Sequence, residues 1–480
     1  MNFLLFNPDE MRAESARCYG HRLAHTPNLD SVAAEGTRFD NCYVQHPVCS
    51  PSRCSLMTGW YPHVRGHRTL WHLLRPDEPN LLAYLKQAGY DVRWWGKNDL
   101  LAPGSWSKSV SDAEAPRGKS KPEPLYAPGD LEYYTFLGRP RDPEVEGPTH
   151  DELCVQAAIN YLQAGPKEPF CLYLPLQFPH PTYGAARRWH EMVSPHDVPE
   201  LRPADLPNKP DYFELIHRYR NLDQIDPGVL RQVNAAYLGQ IAEVDDLFGR
   251  LLTALEQNGH AGDTAIVFYS DHGDWAGDYG LVEKWPSALD DCIVRIPCVM
   301  RVPGGVGGHV VRECVEAFDI MATVLDLAGV EARHSHFACS LAPQLGGEPG
   351  DADRAAFSEG GYDRFEPHCF EGRDVGDLAG IAPDNLYYPK CTQQQEHPDS
   401  VCRATMIRTA SHKLVYRARG LCELYDMQAD PRELHNVYGH ADYAAVQAGL
   451  EKRLLDWYLG CSDVTPFDED PRGFSMVGAG

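Results

Sequence analysis

The sequence predicts an α/β fold, in which helices flank a large and mainly parallel central sheet, followed by a small C-terminal α+β subdomain. The first observation is a set of short runs that are apolar at nearly every position, as is typical of strands buried on both faces of a parallel sheet. The second is that helical patterns lie between these runs, and such alternation indicates a layered α/β architecture. The predicted strands are 2–7, 91–96, 170–176, 264–270 and 296–302.

The clearest helical pattern covers residues 229–258. Apolar residues recur there at steps of three and four, which places them on one face of a helix, and Gly259 ends the pattern. Shorter helices that also end at a glycine are predicted over 80–90, 151–165 and 319–329.

The chain has 480 residues, more than one hydrophobic core normally supports. We expect a large α/β domain over 1–365 and a subdomain over 366–480, where a small antiparallel sheet precedes a helix at 440–458. Irregular segments of the length found here are often functional in compact domains, so we expect them to form pocket walls or the interface of a homo-oligomer. These segments are 102–150, 184–228 and 359–403.

The composition indicates which classes of binding partner are compatible with this chain. The formal net charge of −24 argues against a nucleic-acid partner, because binding to phosphates requires a basic surface. A local basic pocket for a small anion is still compatible with that charge. No apolar run approaches the roughly 20 residues of a membrane helix, so we expect no membrane partner.

The cysteines and the N-terminus indicate a reducing compartment. The chain has 15 cysteines, and an odd, scattered set is not typical of a secreted disulfide framework. The first residues, "MNFLLFNPDEM", have no basic segment and too short an apolar run for a signal peptide. We therefore expect a cytoplasmic protein.

Polar residues follow four of the predicted strands. In open α/β sheets ligands collect at the carboxyl ends of the strands, so we expect these residues to meet at one edge. Carboxylates, imidazoles and a lysine at that edge would hold a hard divalent cation beside an anionic substrate. Each pair alone is also typical of a turn or a helix start, so the prediction depends on their shared position. The residues are Asp9, Glu10, Lys97, His180, Asp271 and His272.

A short motif, "CSPSR" from Cys49 to Arg53, is followed by "TG" at Thr58. It lacks the C-x-x-C spacing of a structural zinc site, and a disulfide is not expected in a reducing compartment. The order C-x-P-x-R and then T-G resembles the signature of the type I, formylglycine-dependent sulfatases of the alkaline phosphatase superfamily. The blocks "NFLLFNPDEM", "AIVFYSDHGDWAGDYGLVEKW" and "CELYDMQADPRELHNV" lie where that family has its own, so the resemblance covers most of the chain.

The resemblance implies an alkaline-phosphatase-like sandwich in a bacterial sulfuric ester hydrolase. It implies that a formylglycine-generating or anaerobic maturase oxidises Cys49 to formylglycine. The aldehyde hydrates to a diol, whose first hydroxyl attacks sulfur and whose second then expels sulfate by breaking the carbon–oxygen bond. A serine in this place would be left as a stable ester. Arg53 would hold the diol.

The same resemblance assigns roles to the other candidates. The implied metal ligands are Asp9, Asp271, His272 and the modified Cys49, with Glu10 as an additional ligand. The implied contacts to the sulfate oxygens are Lys97 and Lys284, with His72 as a further candidate. His180 would protonate the leaving-group oxygen.

Three positions depart from the commonest family pattern. Glu10 stands where a second Asp is usual, His272 where Asn is frequent, and Asp99 where a His is usual. The Asp271-His272 pair resembles the branch of choline sulfatases and phosphonate monoester hydrolases. Ca²⁺ is the expected cation, and the softer imidazole ligand makes Mn²⁺ the alternative.

The leading hypothesis is a sulfatase that releases inorganic sulfate from a small anionic sulfate ester. A sulfated saccharide is the default substrate, because many bacterial members of the family act on one. The alternative is a phosphonate monoester or phosphodiester hydrolase on the same scaffold, since both reactions use a metal-bound diol. A non-catalytic binding protein is disfavoured by the complete set of site residues. Superfamily phosphatases and isomerases are disfavoured because they use Ser or Thr in place of Cys49.

Overall fold

A computed structural model describes residues 1–113, 116, 118, 121–371 and 381–462. Among these residues no helix is both long enough and apolar enough to cross a membrane. The strands are β1 (Asn2–Asp9), β2 (Thr37–Tyr43), β3 (Asp91–Trp94), β4 (Phe170–Pro179), β5 (Thr264–Tyr269), β6 (Arg295–Ile296), β7 (Cys298–Arg301), β8 (His309–Glu316), β9 (Ala356–Gly360), β10 (Ala404–Arg408), β11 (His412–Arg417) and β12 (Glu423–Asp426). The helices are α1 (Pro27–Glu35), α2 (Cys49–Thr58), α3 (Pro62–Arg65), α4 (Leu81–Gln87), α5 (Trp106–Ser109), α6 (Pro143–Glu146), α7 (His150–Gln163), α8 (Arg187–His190), α9 (Tyr212–Tyr219), α10 (Pro227–Gln257), α11 (Asp291–Val294), α12 (Asp319–Ala328), α13 (Ala342–Leu345), α14 (Tyr388–Glu396) and α15 (Ala444–Cys461).

The central sheet has the strand order β3-β4-β1-β5-β7-β2-β6, and β8 pairs with β2 outside this path. β1 is parallel to both β4 and β5, β3 is parallel to β4, and β8 is parallel to β2. β7 is antiparallel to β5 and β2, and β6 is antiparallel to β2. The prediction of a large, mainly parallel sheet is therefore confirmed.

In the central sheet, two strands and one break were not predicted. β2 and β8 mix buried and partly exposed residues and carry polar sequence, so they lack the continuous apolar run of a central strand. The single strand predicted over 296–302 is instead β6 and β7, with Pro297 between them. Proline has no N–H to donate to a neighbouring strand, which explains the break.

β1 lies in the centre of the hydrophobic core. All eight of its residues are buried, and the ring of Phe6 lies 4.8 Å from that of Phe248 in α10 and 5.6 Å from that of Phe268 in β5. The predicted long helix is confirmed as α10, which has 31 residues and begins where the Asp226 side chain accepts the N–H of Gly228. α10 therefore covers one face of the strands that carry the candidate site.

The smaller sheet is antiparallel, in the order β12-β11-β10-β9. Leu450 and Leu454 of α15 pack against Ile407 and Leu414 of this sheet. The helix predicted over 440–458 begins at Ala444, because the preceding residues form a 3-10 turn. β9 precedes residue 366 and pairs with β10, and the division of the chain at 365/366 stays a prediction.

Candidate active site

Helix α2 presents Cys49 at the edge of the central sheet. Cys49 is the first residue of α2, and all ten residues of this helix are buried. Ser52 Oγ donates to the backbone oxygen of Asp271 over 2.5 Å, and Arg53 Nε donates to Asp271 Oδ2 over 2.8 Å. Gly59 adopts a φ of 69° after the helix, and its N–H closes the last turn. The motif residues thus hold α2 against the chain that follows β5.

Asp9, Cys49, Asp271 and His272 form a compact buried group. Their potential ligand atoms all lie within 4.8 Å of one another. Cys49 Sγ lies 3.1 Å from His272 Nε2 and 3.5 Å from Asp9 Oδ1. Four of the predicted site residues, from the ends of β1 and β5 and from α2, are therefore brought together.

The donor set of this group fits one divalent cation. The two carboxylates offer the oxygen ligands that hard divalent cations prefer, and the imidazole adds one softer nitrogen ligand. Burial by itself raises the pKa of Asp9. The charges of Lys97 and Arg53 outweigh this effect and hold the pKa well below its usual value, so Asp9 is ionised. His272 Nδ1 lies 2.9 Å from the backbone oxygen of Gly273 and donates its proton there. Nε2 is therefore the ring nitrogen that faces the group and could bind a cation.

Glu10 lies in a neighbouring group. Its carboxylate shares a 4.8 Å cluster with Asp9 and His180, and it is not part of the four-residue group. Glu10 has a φ of 72°, which turns the chain after β1, and its Oε2 accepts a hydrogen bond from Lys284 over 2.8 Å. Burial raises the pKa of Glu10 to about 8 against the opposing effect of Lys284. Its Oε1 is buried and has no hydrogen-bond partner among the described residues.

Lys97 lies against the group of Asp9, Cys49, Asp271 and His272, on the β3 side. Its Nζ donates to Asp9 Oδ2 over 2.6 Å and lies 2.7 Å from Asp99 Oδ2. Asp99, at the position where the family usually has histidine, thus pairs with Lys97. The preceding Gly96 has a φ of 148°, and a Cβ there would lie 2.1 Å from a backbone oxygen of β4. The position of Lys97 therefore depends on a glycine at 96.

His180 lies between two lysines. Its Nε2 is 3.0 Å from Lys284 Nζ, and its Nδ1 is 2.9 Å from Lys121 Nζ and 2.8 Å from the backbone oxygen of Pro181. Burial and the charges of Lys121 and Lys284 hold the pKa of His180 well below its usual value. The ring is therefore neutral in the free protein.

Lys121 and Tyr387 are neighbours of the site that sequence analysis missed. Lys121 comes from the irregular segment 102–150, and Tyr387 comes from 359–403, where its ring lies 5.2 Å from that of Phe136. Burial and the charge of Glu283 raise the pKa of Tyr387 well above its usual value. No motif or strand end marks either residue, so the sequence carries no signal for them. One residue of each of these two irregular segments thus lies near the site.

His72 lies outside these contacts. Its ring centroid lies 6.2 Å from that of His368, and its backbone oxygen lies 2.6 Å from His67 Nδ1. The structure gives the His72 ring no hydrogen bond or ion pair to the other predicted site residues, all of which fall within the described ranges. Its predicted contact with sulfate stays a prediction.

The family model named Sulfatase matches residues 1–330, well over half of the chain. The chain belongs to the sulfatase family. A second family model, the C-terminal region of N-sulphoglucosamine sulphohydrolase, matches residues 379–458. The prediction of a sulfuric ester hydrolase is thereby confirmed.

Individual relatives agree with this assignment over nearly the whole chain. An N-acetylglucosamine-6-O-sulfatase from Bacteroides thetaiotaomicron is 26% identical over 98% of this sulfatase and 88% of its own length. A choline-sulfatase from Rhizobium meliloti is 26% identical over 93% of this chain and 85% of its own length. The crystal structure of a phosphonate monoester hydrolase from Agrobacterium radiobacter has the same fold, with a TM-score of 0.77, 24% identity and 96% of each chain covered. The predicted alkaline-phosphatase-like architecture is confirmed.

Proposed function

We propose that this sulfatase releases inorganic sulfate from a sulfated saccharide, using one divalent cation and a formylglycine formed from Cys49. The observation that carries the proposal is the buried group of Asp9, Cys49, Asp271 and His272, since it combines the modifiable cysteine with a metal-ligand set. The saccharide is supported by the name of the N-acetylglucosamine-6-O-sulfatase relative and by the sulphohydrolase match in the C-terminal region.

Asp9, Asp271, His272 and the modified side chain of residue 49 would hold the cation, with Glu10 in reach as an additional ligand. We propose Ca²⁺, with Mn²⁺ as the alternative because one ligand is an imidazole. When bound, the cation supplies Lewis-acid activation of the hydrated formylglycine and offsets the charge of the sulfate. The fit rests on the ionised Asp9 and on the orientation of His272, whose Nδ1 bonds to a backbone oxygen while Nε2 faces the group.

The remaining side chains position the substrate. Arg53, which bonds to Asp271 over 2.8 Å, would orient the hydrated residue 49. Lys97 and Lys284 are proposed to contact the sulfate oxygens, where their fixed charges stabilise the charge that grows on them. Both ammonium groups already lie against the carboxylates of Asp9 and Glu10, so little rearrangement is needed.

His180 is proposed to deliver a proton from Nε2 to the leaving-group oxygen. In the free protein burial and the nearby lysines disfavour a second proton on this ring. An anionic sulfate ester bound between Lys97 and Lys284 offsets their charge and raises the proton affinity of His180. Binding of the substrate would therefore prepare its own general acid.

Formation of formylglycine requires a maturase, and we propose that such an enzyme acts on the chain during synthesis. We also propose a reducing, cytoplasmic compartment. All 15 cysteines are free and none forms a disulfide, which supports such a compartment.

The test combines mass spectrometry with substrate comparison. Conversion of Cys49 replaces CH₂SH by CHO, so the peptide loses one sulfur and two hydrogens and gains one oxygen. The matured protein is then assayed on 4-nitrophenyl sulfate and on an aryl phosphonate monoester. A higher kcat/KM on the sulfate supports the proposal. A higher value on the phosphonate would favour the phosphonate hydrolase alternative, which the Asp271-His272 pair and the Agrobacterium fold neighbour make worth testing.

A further inference from the structure

One cation at this site has no carboxylate partner in the part of the chain that the structure describes. Lys121 Nζ contacts the imidazole of His180, 2.9 Å from Nδ1, and no carboxylate oxygen of the described residues lies within 4.0 Å of it. The other cations of the site are each paired with a carboxylate. These pairs are Arg53 with Asp271 at 2.8 Å, Lys97 with Asp9 at 2.6 Å, and Lys284 with Glu10 at 2.8 Å and with Glu283 at 3.4 Å.

Lys121 lies close to one of the paired lysines, because Lys121 and Lys284 both contact His180. Lys284 approaches Nε2 of His180 and Lys121 approaches Nδ1, so the two ammonium groups are separated by one imidazole ring. Nε2 is the nitrogen proposed to face the leaving-group oxygen. Lys121 is therefore next to the space that the alcohol part of a substrate occupies.

The surroundings of Lys121 favour an anion. Burial and the charges of Lys97 and Lys284 lower its pKa to about 8, and the more distant carboxylates of Asp9 and Glu10 oppose this shift without cancelling it. A sulfate monoester brings one negative charge, which Lys97 and Lys284 are placed to meet. The charge of Lys121 remains without a partner when such a substrate is bound.

We propose that Lys121 binds a second anionic group, a sulfate or a carboxylate, carried by the leaving saccharide. The enzyme would then prefer saccharides with two negative charges over those with one. This inference rests on the proposed function and adds to it the charge of the substrate. Lys121 acts here as a specificity-determining residue that contacts the substrate directly.

The test compares D-glucosamine 6-sulfate, D-glucosamine 2-N,6-O-disulfate, a sulfated glucuronide and 4-nitrophenyl sulfate on the matured enzyme. We expect wild type to prefer a doubly charged saccharide by about tenfold or more in kcat/KM, the scale of one charge-assisted hydrogen bond. Lys121→Met should remove most of that preference, and Lys121→Arg should keep part of it. Lys108→Met is the matched control, because Lys108 is an exposed lysine of the same segment that bonds to a backbone oxygen.

Several outcomes would overturn the inference. An unchanged preference in Lys121→Met would exclude the contact, as would a wild type without any preference for the second charge. Equal losses on all four substrates would instead make Lys121 a positioning residue for His180. A wild type that releases no sulfate would contradict the proposed function. In that case the dissociation constants of the singly and doubly charged saccharides for wild type and Lys121→Met would still decide the role of Lys121.

Discussion

Glu283 joins three buried cations directly beside the site, and its removal is the sharpest test of the packing there. Its carboxylate lies 2.9 Å from Arg220 Nη2, 2.9 Å from Lys390 Nζ and 3.4 Å from Lys284 Nζ. All four side chains are at most 3% exposed. Glu283→Gln keeps the shape of the side chain and removes its charge, so buried cations are left without their anion.

The expected cost follows from that burial. Removing one partner of a buried pair costs about 3–5 kcal/mol. The entropy of unfolding is about 2.1 cal/mol/K per residue, which over this chain gives about 1 kcal/mol per degree. We therefore expect differential scanning calorimetry to show a Tm about 3–5 °C lower at pH 7.

A surface pair provides the control. Glu214 and Arg218 lie 2.6 Å apart on α9, with side chains 78% and 61% exposed. Exposed pairs of this kind contribute about 0.3–0.5 kcal/mol, so Glu214→Gln should change Tm by less than about 1 °C. Equal shifts in the two variants would refute the reasoning from burial.

The pH dependence gives a second check on Glu283. Burial raises its pKa, but Lys390, Lys284 and Arg220 together lower it to well below the usual value. A group with a lowered folded-state pKa stabilises the protein above its unfolded pKa of about 4.3, and this contribution is lost as the pH falls further. The Tm difference between wild type and Glu283→Gln should therefore be largest at pH 7 and should become smaller as the pH falls below about 4.3. A difference that stays constant would contradict the assigned charge.

Three further predictions concern the chemistry and its positioning. Cys49→Ser should keep the wild-type Tm but should stop after at most one turnover. A stable sulfate ester on the serine should then be visible by mass spectrometry. Sustained turnover would contradict the role of formylglycine. Dialysis against EDTA should abolish sulfate release and Ca²⁺ or Mn²⁺ should restore it, whereas full activity of the chelated enzyme would exclude the metal. Gly96→Ala should lower both Tm and kcat/KM, because the added Cβ would lie 2.1 Å from a backbone oxygen and would displace Lys97. Gly262→Ala is the control and should leave both values unchanged, because a Cβ there meets open space.

Part of the site could be predicted from local sequence. Asp9 and Asp271 follow apolar runs that become β1 and β5, and these strands are parallel neighbours, so both carboxylates reach the same edge. The motif at Cys49 forms a buried helix that meets this edge through Ser52 and Arg53. Such local patterns depend on burial and on residue order, which are readable without a structure.

Other features depend on contacts between distant segments. Asp9 belongs to the group with Cys49, Asp271 and His272, whereas the adjacent Glu10 does not, because the backbone turns at Glu10 with a φ of 72°. The contact of Lys121 with His180 joins residues that are 59 positions apart, and Lys121 comes from a segment without a regular pattern. No periodicity or motif encodes such a contact.

The sequence by itself determined the sulfatase motif, the carboxylate and imidazole side chains that could hold a cation, and the alternation of strands and helices. Only the tertiary structure decided the order of the strands, the pairing of Lys97 with Asp99 and the approach of Lys121 to His180. The physical reason is that residue types and local periodicity fix which groups are buried, whereas the partners of a buried charge are set by the packing of the whole chain.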